Sequence, residues 1–121
     1  MTDDVVVARS EDVLEGGRVV VETAGIEIGI FRVDGDLYAW ENSCAHFGGP
    51  VCQGRLVPRV VERLDDEGRS IGDFFSDELH IVCPWHGFEY DVRTGVHAGK
   101  PDLRLRRIDV FERGGEVVVR L

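Results

Sequence analysis

The apolar residues of this chain fall into short runs, each cut by a glycine or an acidic turn, and nowhere do they hold a helical period for long. Its 19 valines and 15 glycines fit that pattern. A β-branched side chain is stiff in a helix but packs well on a pleated surface, and glycine lets the chain turn between runs. The reading is an all-β domain. Strands are predicted at Val5–Arg9, Arg18–Thr23, Ile26–Val33, Leu37–Glu41, Val57–Leu64, Glu78–Cys83, Phe88–Val92, Leu103–Phe111 and Glu116–Leu121, with tight hairpins at Asp34-Gly35 and Gly114-Gly115. In the strand from Leu103, Leu103 and Leu105 have the opposite parity to Ile108 and Val110, which predicts a β-bulge near Arg106-Arg107. The one helical suggestion is a turn over Glu11–Leu14 capped by Ser10.

The 121 residues make one domain, 1–121, with no room for a second core. The stretch 55–78 is more charged, contains an Asp65-Asp66-Glu67-Gly68 turn, and reads as a hairpin with a loop inserted into the barrel. Acids outnumber bases by 23 to 14, a net charge of -9. That charge repels phosphate backbones and anionic lipid, so nucleic acid is excluded as a ligand; docking to a basic partner and simple solubility both remain compatible with it. The N-terminus carries Asp3 and Asp4 rather than a basic region, and no apolar run reaches the roughly 18 residues of a membrane span. A cytoplasmic protein with neither signal peptide nor membrane anchor is expected. In that compartment three cysteines, an odd number, argue for metal binding, catalysis or core packing rather than for disulfides.

Two segments carry chemistry. Cys44-Ala45-His46-Phe47-Gly48-Gly49-Pro50 and Cys83-Pro84-Trp85-His86-Gly87-Phe88-Glu89-Tyr90 each place a thiol and an imidazole within two or three residues, just before a glycine and after a predicted strand. Facing one another, such fingers make a site of two Cys and two His ligands. A structural zinc accepts that set, but zinc ribbons usually put both cysteines in one knuckle, whereas each knuckle here is mixed. One mixed pair per loop also lets one metal take the thiolates and a second take the imidazoles, which is the partition of a Rieske 2Fe-2S centre.

The chain resembles a Rieske-type ferredoxin. The resemblance rests on C-x-H in one loop and C-x2-H in the other, with Gly48-Gly49-Pro50 after the first pair and Pro84, Gly87 and Tyr90 around the second. It implies an antiparallel β-barrel or sandwich with a small two-loop subdomain, fingers at about 42–54 and 81–92, holding one 2Fe-2S cluster. Cys44 and Cys83 are implied ligands of the inner iron, His46 and His86 of the outer iron; no catalytic residue is assigned. The stretch 55–78 lies outside the resemblance. It is expected to leave the barrel beside the fingers and to help choose the partner.

High-potential members of the family carry a disulfide at the positions of Gly49 and Trp85, and a hydroxyl residue where this chain has Phe88. Lacking both, this chain is expected to hold a low-potential centre, in the lower part of the roughly -150 to +300 mV range. Cys52 reads as a small buried hydrophobe or a reactive thiol, and His80 and His97 as ordinary surface histidines. Trp85 and Phe47 either shield the cluster and centre a docking patch or pack on the loops.

The resemblance implies a one-electron carrier between a flavin-containing NAD(P)H reductase and a terminal aromatic-ring-hydroxylating oxygenase. Two alternatives are the Rieske small subunit of an assimilatory nitrite reductase or other oxidoreductase complex, and a zinc-stabilised interaction module. A complete terminal oxygenase is excluded, because the chain is too short for a second domain with a mononuclear iron site.

Overall fold

The computed structural model describes residues 3–45, 48–85 and 87–121, with residues 59–61 and 75–77 described by their backbone alone. The described residues form nine strands: β1 (Asp4–Arg9), β2 (Arg18–Thr23), β3 (Ile26–Val33), β4 (Asp36–Glu41), β5 (Arg55–Leu64), β6 (Ser70–Val82), β7 (Glu89–Asp91), β8 (Arg107–Arg113) and β9 (Glu116–Arg120). Among the described residues the only helical turns are of the 3-10 type, at Ser10–Asp12 and Val51–Gln53. The first is preceded by Arg9 with no side-chain cap, so Ser10 opens the turn rather than capping it.

The strands form two antiparallel sheets. One has six strands in the order β1-β9-β8-β4-β3-β2, and the other has three in the order β5-β6-β7. In the larger sheet β4 and β8 are joined by only two residue pairs, Ala39 with Ile108 and Trp40 with Arg107, so the sheet folds over at that seam into a barrel-like shape. The predicted hairpins are present: Asp34 and Gly35 both have positive φ (52° and 82°), as do Gly114 and Gly115 (58° and 79°). A turn with both central residues in that region matches the right-handed twist of its strands.

Two cores share β3. Ile28 and Ile30 point into the barrel with Val13, Ala39, Ile108, Val117 and Val119. Phe31 and Val33 point the other way, into a second core with Trp40, Val51, Cys52, Ile81, Tyr90, Val92 and Leu105, which packs the small sheet on the barrel. A strand covered on both faces is apolar throughout, which explains the unbroken burial from Ile28 to Phe31. The same arrangement corrects the expected bulge. Leu105 belongs to the second core and Ile108 to the first. The parity changes because the chain crosses between cores before β8 begins at Arg107, and the β8 register is regular. The irregularity of the large sheet lies instead in β1, between Val6 and Ala8.

Candidate metal centre

Cys44 and Cys83 begin two loops with the same backbone closure. The Cys44 N–H donates to Gly49 O (2.8 Å) and the Gly48 N–H donates to Cys44 O (2.9 Å). Correspondingly, the Cys83 N–H donates to Phe88 O (2.8 Å) and the Gly87 N–H to Cys83 O (3.0 Å). Gly48 and Gly87 close these turns at φ 74° and 70°, where a side chain is strained. The first loop follows β4; the second is the turn of the β6–β7 hairpin.

The loops touch. A Cβ on Gly49 would stand 2.9 Å from Trp85 Cδ2 and 3.1 Å from Cys83 Sγ, so glycine is what lets the first loop close over the second thiol. Cys44 and Cys83 are both buried and neither is in a disulfide. Trp85 is exposed beside them. His46, Phe47 and His86 lie outside the described residues.

Tyr90, which entered the sequence argument only as a flank, has a chemical position. Its ring is fully buried and its Oη lies 3.1 Å from Cys44 Sγ. Burial first, then the contact with Cys44, pushes the phenol pKa up, so the hydroxyl keeps its proton and is available as a donor. His97 packs edge-on against Tyr90 and Phe88, with ring centroids 5.4 and 4.9 Å away. Its Nδ1 accepts the N–H groups of Gly99 and Lys100, both at 3.0 Å, which fixes the proton on Nε2. His97 is therefore a half-buried buttress of the second core and not an ordinary surface residue.

His80 is a larger correction: it is completely buried. Its Nδ1 lies 2.9 Å from Glu89 Oε2 and its Nε2 lies 3.0 Å from Glu78 Oε1, with Asp91 as its cross-strand partner. A ring with a carboxylate at each nitrogen donates from both, which is the imidazolium form. Burial, the largest influence, opposes that charge, but the two glutamates outweigh it and the pKa is raised. The clamp ties β6 to β7 three residues before Cys83. The i,i+2 pair Glu78-His80 was visible in the strand; Glu89 needed the register.

Cys52 packs as a small hydrophobe. It is fully buried, its thiol is pushed up to about 12 chiefly by burial, and its Sγ lies 3.5 Å from Trp40 O. Gly29 faces it so closely that an added Cβ would be 2.4 Å from Cys52 Cβ.

These residues fit an iron–sulfur group: two buried thiols outside any disulfide, on twinned glycine-closed loops, with a phenol donor aimed at one sulfur. A β scaffold that presents such a loop pair is a candidate metal-centre domain.

Comparison with known proteins agrees. Residues 3–112 match the family model of the Rieske [2Fe-2S] domain. The chain is 33% identical over 85 residues to the ferredoxin component of the naphthalene 1,2-dioxygenase/salicylate 5-hydroxylase systems of a Ralstonia species, a match covering 70% of this chain and 62% of that relative. Among solved structures, the ferredoxin of carbazole 1,9a-dioxygenase from Nocardioides aromaticivorans IC177 is 26% identical with a TM-score of 0.67, covering 96% of this chain and 95% of that one. A putative NADH-dependent nitrite reductase small subunit from Mycobacterium tuberculosis has a TM-score of 0.70 at 16% identity, covering 100% and 96%, a likeness of fold alone. The chain belongs to the Rieske [2Fe-2S] domain family, and its cofactor is one Rieske 2Fe-2S cluster. The zinc alternative is thereby set aside. No helix among the described residues is long and apolar enough to cross a membrane.

Proposed function

We propose that this chain is a cytoplasmic one-electron carrier whose cluster is held by Cys44 and Cys83 at the inner iron and by His46 and His86 at the outer iron. The observation that carries the ligand reading is the matched backbone closure of the two loops, which brings the Cys83 thiol against Gly49 and buries both thiols. When bound, the cluster supplies a reversible one-electron couple. The chain's own residues then have separate tasks. Tyr90 donates to the Cys44 sulfur, Gly48 and Gly87 close the loop turns, Trp85 packs on Gly49 of the facing loop, and the His80 clamp fixes the base of the second loop.

The electron source is a flavin-containing NAD(P)H reductase and the acceptor a terminal oxygenase of the aromatic-ring-hydroxylating kind. Support comes from relatives named as ferredoxin components of dioxygenase systems and from a surface of net charge -9, which suits transient docking to basic faces. The test is reconstitution with the reductase and oxygenase encoded beside it. NADH should bleach the visible spectrum through the reductase, and the oxygenase should restore it in the presence of substrate and oxygen. Failure of every cognate pair to exchange electrons, or copurification as a fixed subunit of a nitrite-reducing complex, would defeat the proposal.

A further inference from the structure

β5 and β6 form an arm that outgrows its sheet. At its base Arg55 pairs with Val82, beside the Cys83 loop; at its far end Leu64 pairs with Ser70. Nine strand steps separate Arg55 from Leu64, which puts the tip roughly 30 Å along the arm from the cluster loops. β7 covers only His80–Val82 of β6, and β5 is itself a sheet edge. The arm therefore runs out as a two-stranded ribbon whose tip points away from the end where electrons enter and leave.

The tip is neither bland nor self-satisfied. Leu64, Ile71 and Phe74 are exposed by 55%, 57% and 37%, half of the large apolar residues exposed among those described. Both of its cations are committed: Arg69 pairs with Glu67 and Asp65, and the Arg63 guanidinium stacks over the Phe74 ring at 4.4 Å. Glu62, Asp66 and Asp73 are exposed and have no ion-pair partner among the described residues. The tip thus presents apolar side chains framed by a net negative charge, five acids against two arginines over residues 62–74. A second copy of this chain would bring like charge to like charge, so self-association is disfavoured. A basic protein surface with an apolar notch is complementary to it.

We propose that residues 62–74 are a docking element for such a surface on one of the carrier's redox partners, engaged apart from the cluster end. This rests on the electron-carrier reading above. A partner held at the tip leaves the cluster end free to exchange electrons, and it raises the carrier's local concentration between turnovers.

The test compares the cluster-loaded chain with two variants, Leu64→Ser/Ile71→Ser/Phe74→Ser and Glu62→Lys/Asp66→Lys/Asp73→Lys. Binding to the immobilised cognate reductase and to the cognate oxygenase is measured at low and high salt, with electron transfer followed separately. The expected result is a loss of affinity of about tenfold for one component in both variants. The visible spectrum and midpoint potential should be unchanged, and the lysine variant should lose most of the salt dependence. Affinities within about twofold of wild type for both components would overturn the docking element. Wild-type binding without electron transfer would defeat the carrier reading alone, and absence of wild-type binding to either component would defeat both.

Discussion

Tyr90 Oη lies 3.1 Å from Cys44 Sγ, so a side chain of the β6–β7 hairpin reaches across to the loop after β4 and meets the first thiol. The phenol is fully buried, and burial with the Cys44 contact keeps it protonated. In the proposed ligand set Cys44 is a metal-bound thiolate with no proton to give, and the tyrosine is the donor.

Such a donor favours whichever redox state places more negative charge on the sulfur, which is the reduced one. Tyr90→Phe keeps the ring packed on His97 and removes only the hydroxyl. The midpoint potential should fall by about 40 mV, equivalent to about 1 kcal/mol for a one-electron couple. Protein-film voltammetry measures it directly, and an unchanged or raised potential would contradict the assignment.

A second prediction concerns the join between barrel and small sheet. Gly29→Ala would place a Cβ 2.4 Å from Cys52 Cβ in a site without free space. The expected loss is about 3 kcal/mol, the upper end for overpacking a core. Because the clash is with both Cβ (2.4 Å) and Sγ (2.5 Å) of Cys52, Cys52→Ala should recover part of the loss and Cys52→Gly should recover more of it. Urea unfolding of the three variants distinguishes these outcomes.

What the sequence made legible and what it did not divide along physical lines. The Ile26–Val33 and Leu37–Glu41 runs and the Asp34-Gly35 turn are local signals, and β3, β4 and their hairpin appear within one residue of the predicted bounds. The paired Cys-His segments are local too, and the family match supports the cluster they imply. Apart from the local placing of the turn at Ser10, the misreadings required knowledge of which strand lies opposite. Leu105 and Ile108 looked out of register because they serve different cores, and a single strand's alternation cannot reveal two layers. His80 looked like a surface residue because Glu89, the carboxylate that helps bury and charge it, comes from the neighbouring strand. Likewise, β6 begins at Ser70 because pairing with β5 extends a ribbon that its weakly apolar sequence would not mark as a strand.

The His80 clamp has a pH signature. Its folded-state pKa is raised, so its contribution to stability is fully present below the unfolded value near 6.5 and is lost as pH rises through the folded value. The groups facing it are Glu78 from β6 and Glu89 and Asp91 from β7. His80→Gln should therefore lower stability by about 2 kcal/mol near pH 6, less than for a fully enclosed ion pair because both glutamates are partly exposed. The gap from wild type should narrow towards alkaline pH. Thermal melts at several pH values test the sign: a gap that widens with rising pH would mean that His80 is neutral in the fold.

The last prediction concerns the potential itself. With Gly49 and Trp85 where high-potential relatives carry a disulfide, the Trp85 ring packs on Gly49 and no disulfide joins the two loops. Phe88 is half-buried against His97 and has no side-chain donor to offer a cluster sulfur. Fewer donors leave the reduced cluster less stabilised, so the midpoint should lie in the lower part of the roughly -150 to +300 mV range, below zero. Phe88→Ser supplies a hydroxyl at that position and should raise the midpoint by a few tens of mV, at some cost in stability from the vacated ring volume. Serine leaves the backbone bond from the Cys83 N–H to the residue 88 carbonyl intact, so a shift can be assigned to the new donor rather than to a loosened loop. A wild-type midpoint well above zero in a redox titration would refute the low-potential assignment, whatever the variant does.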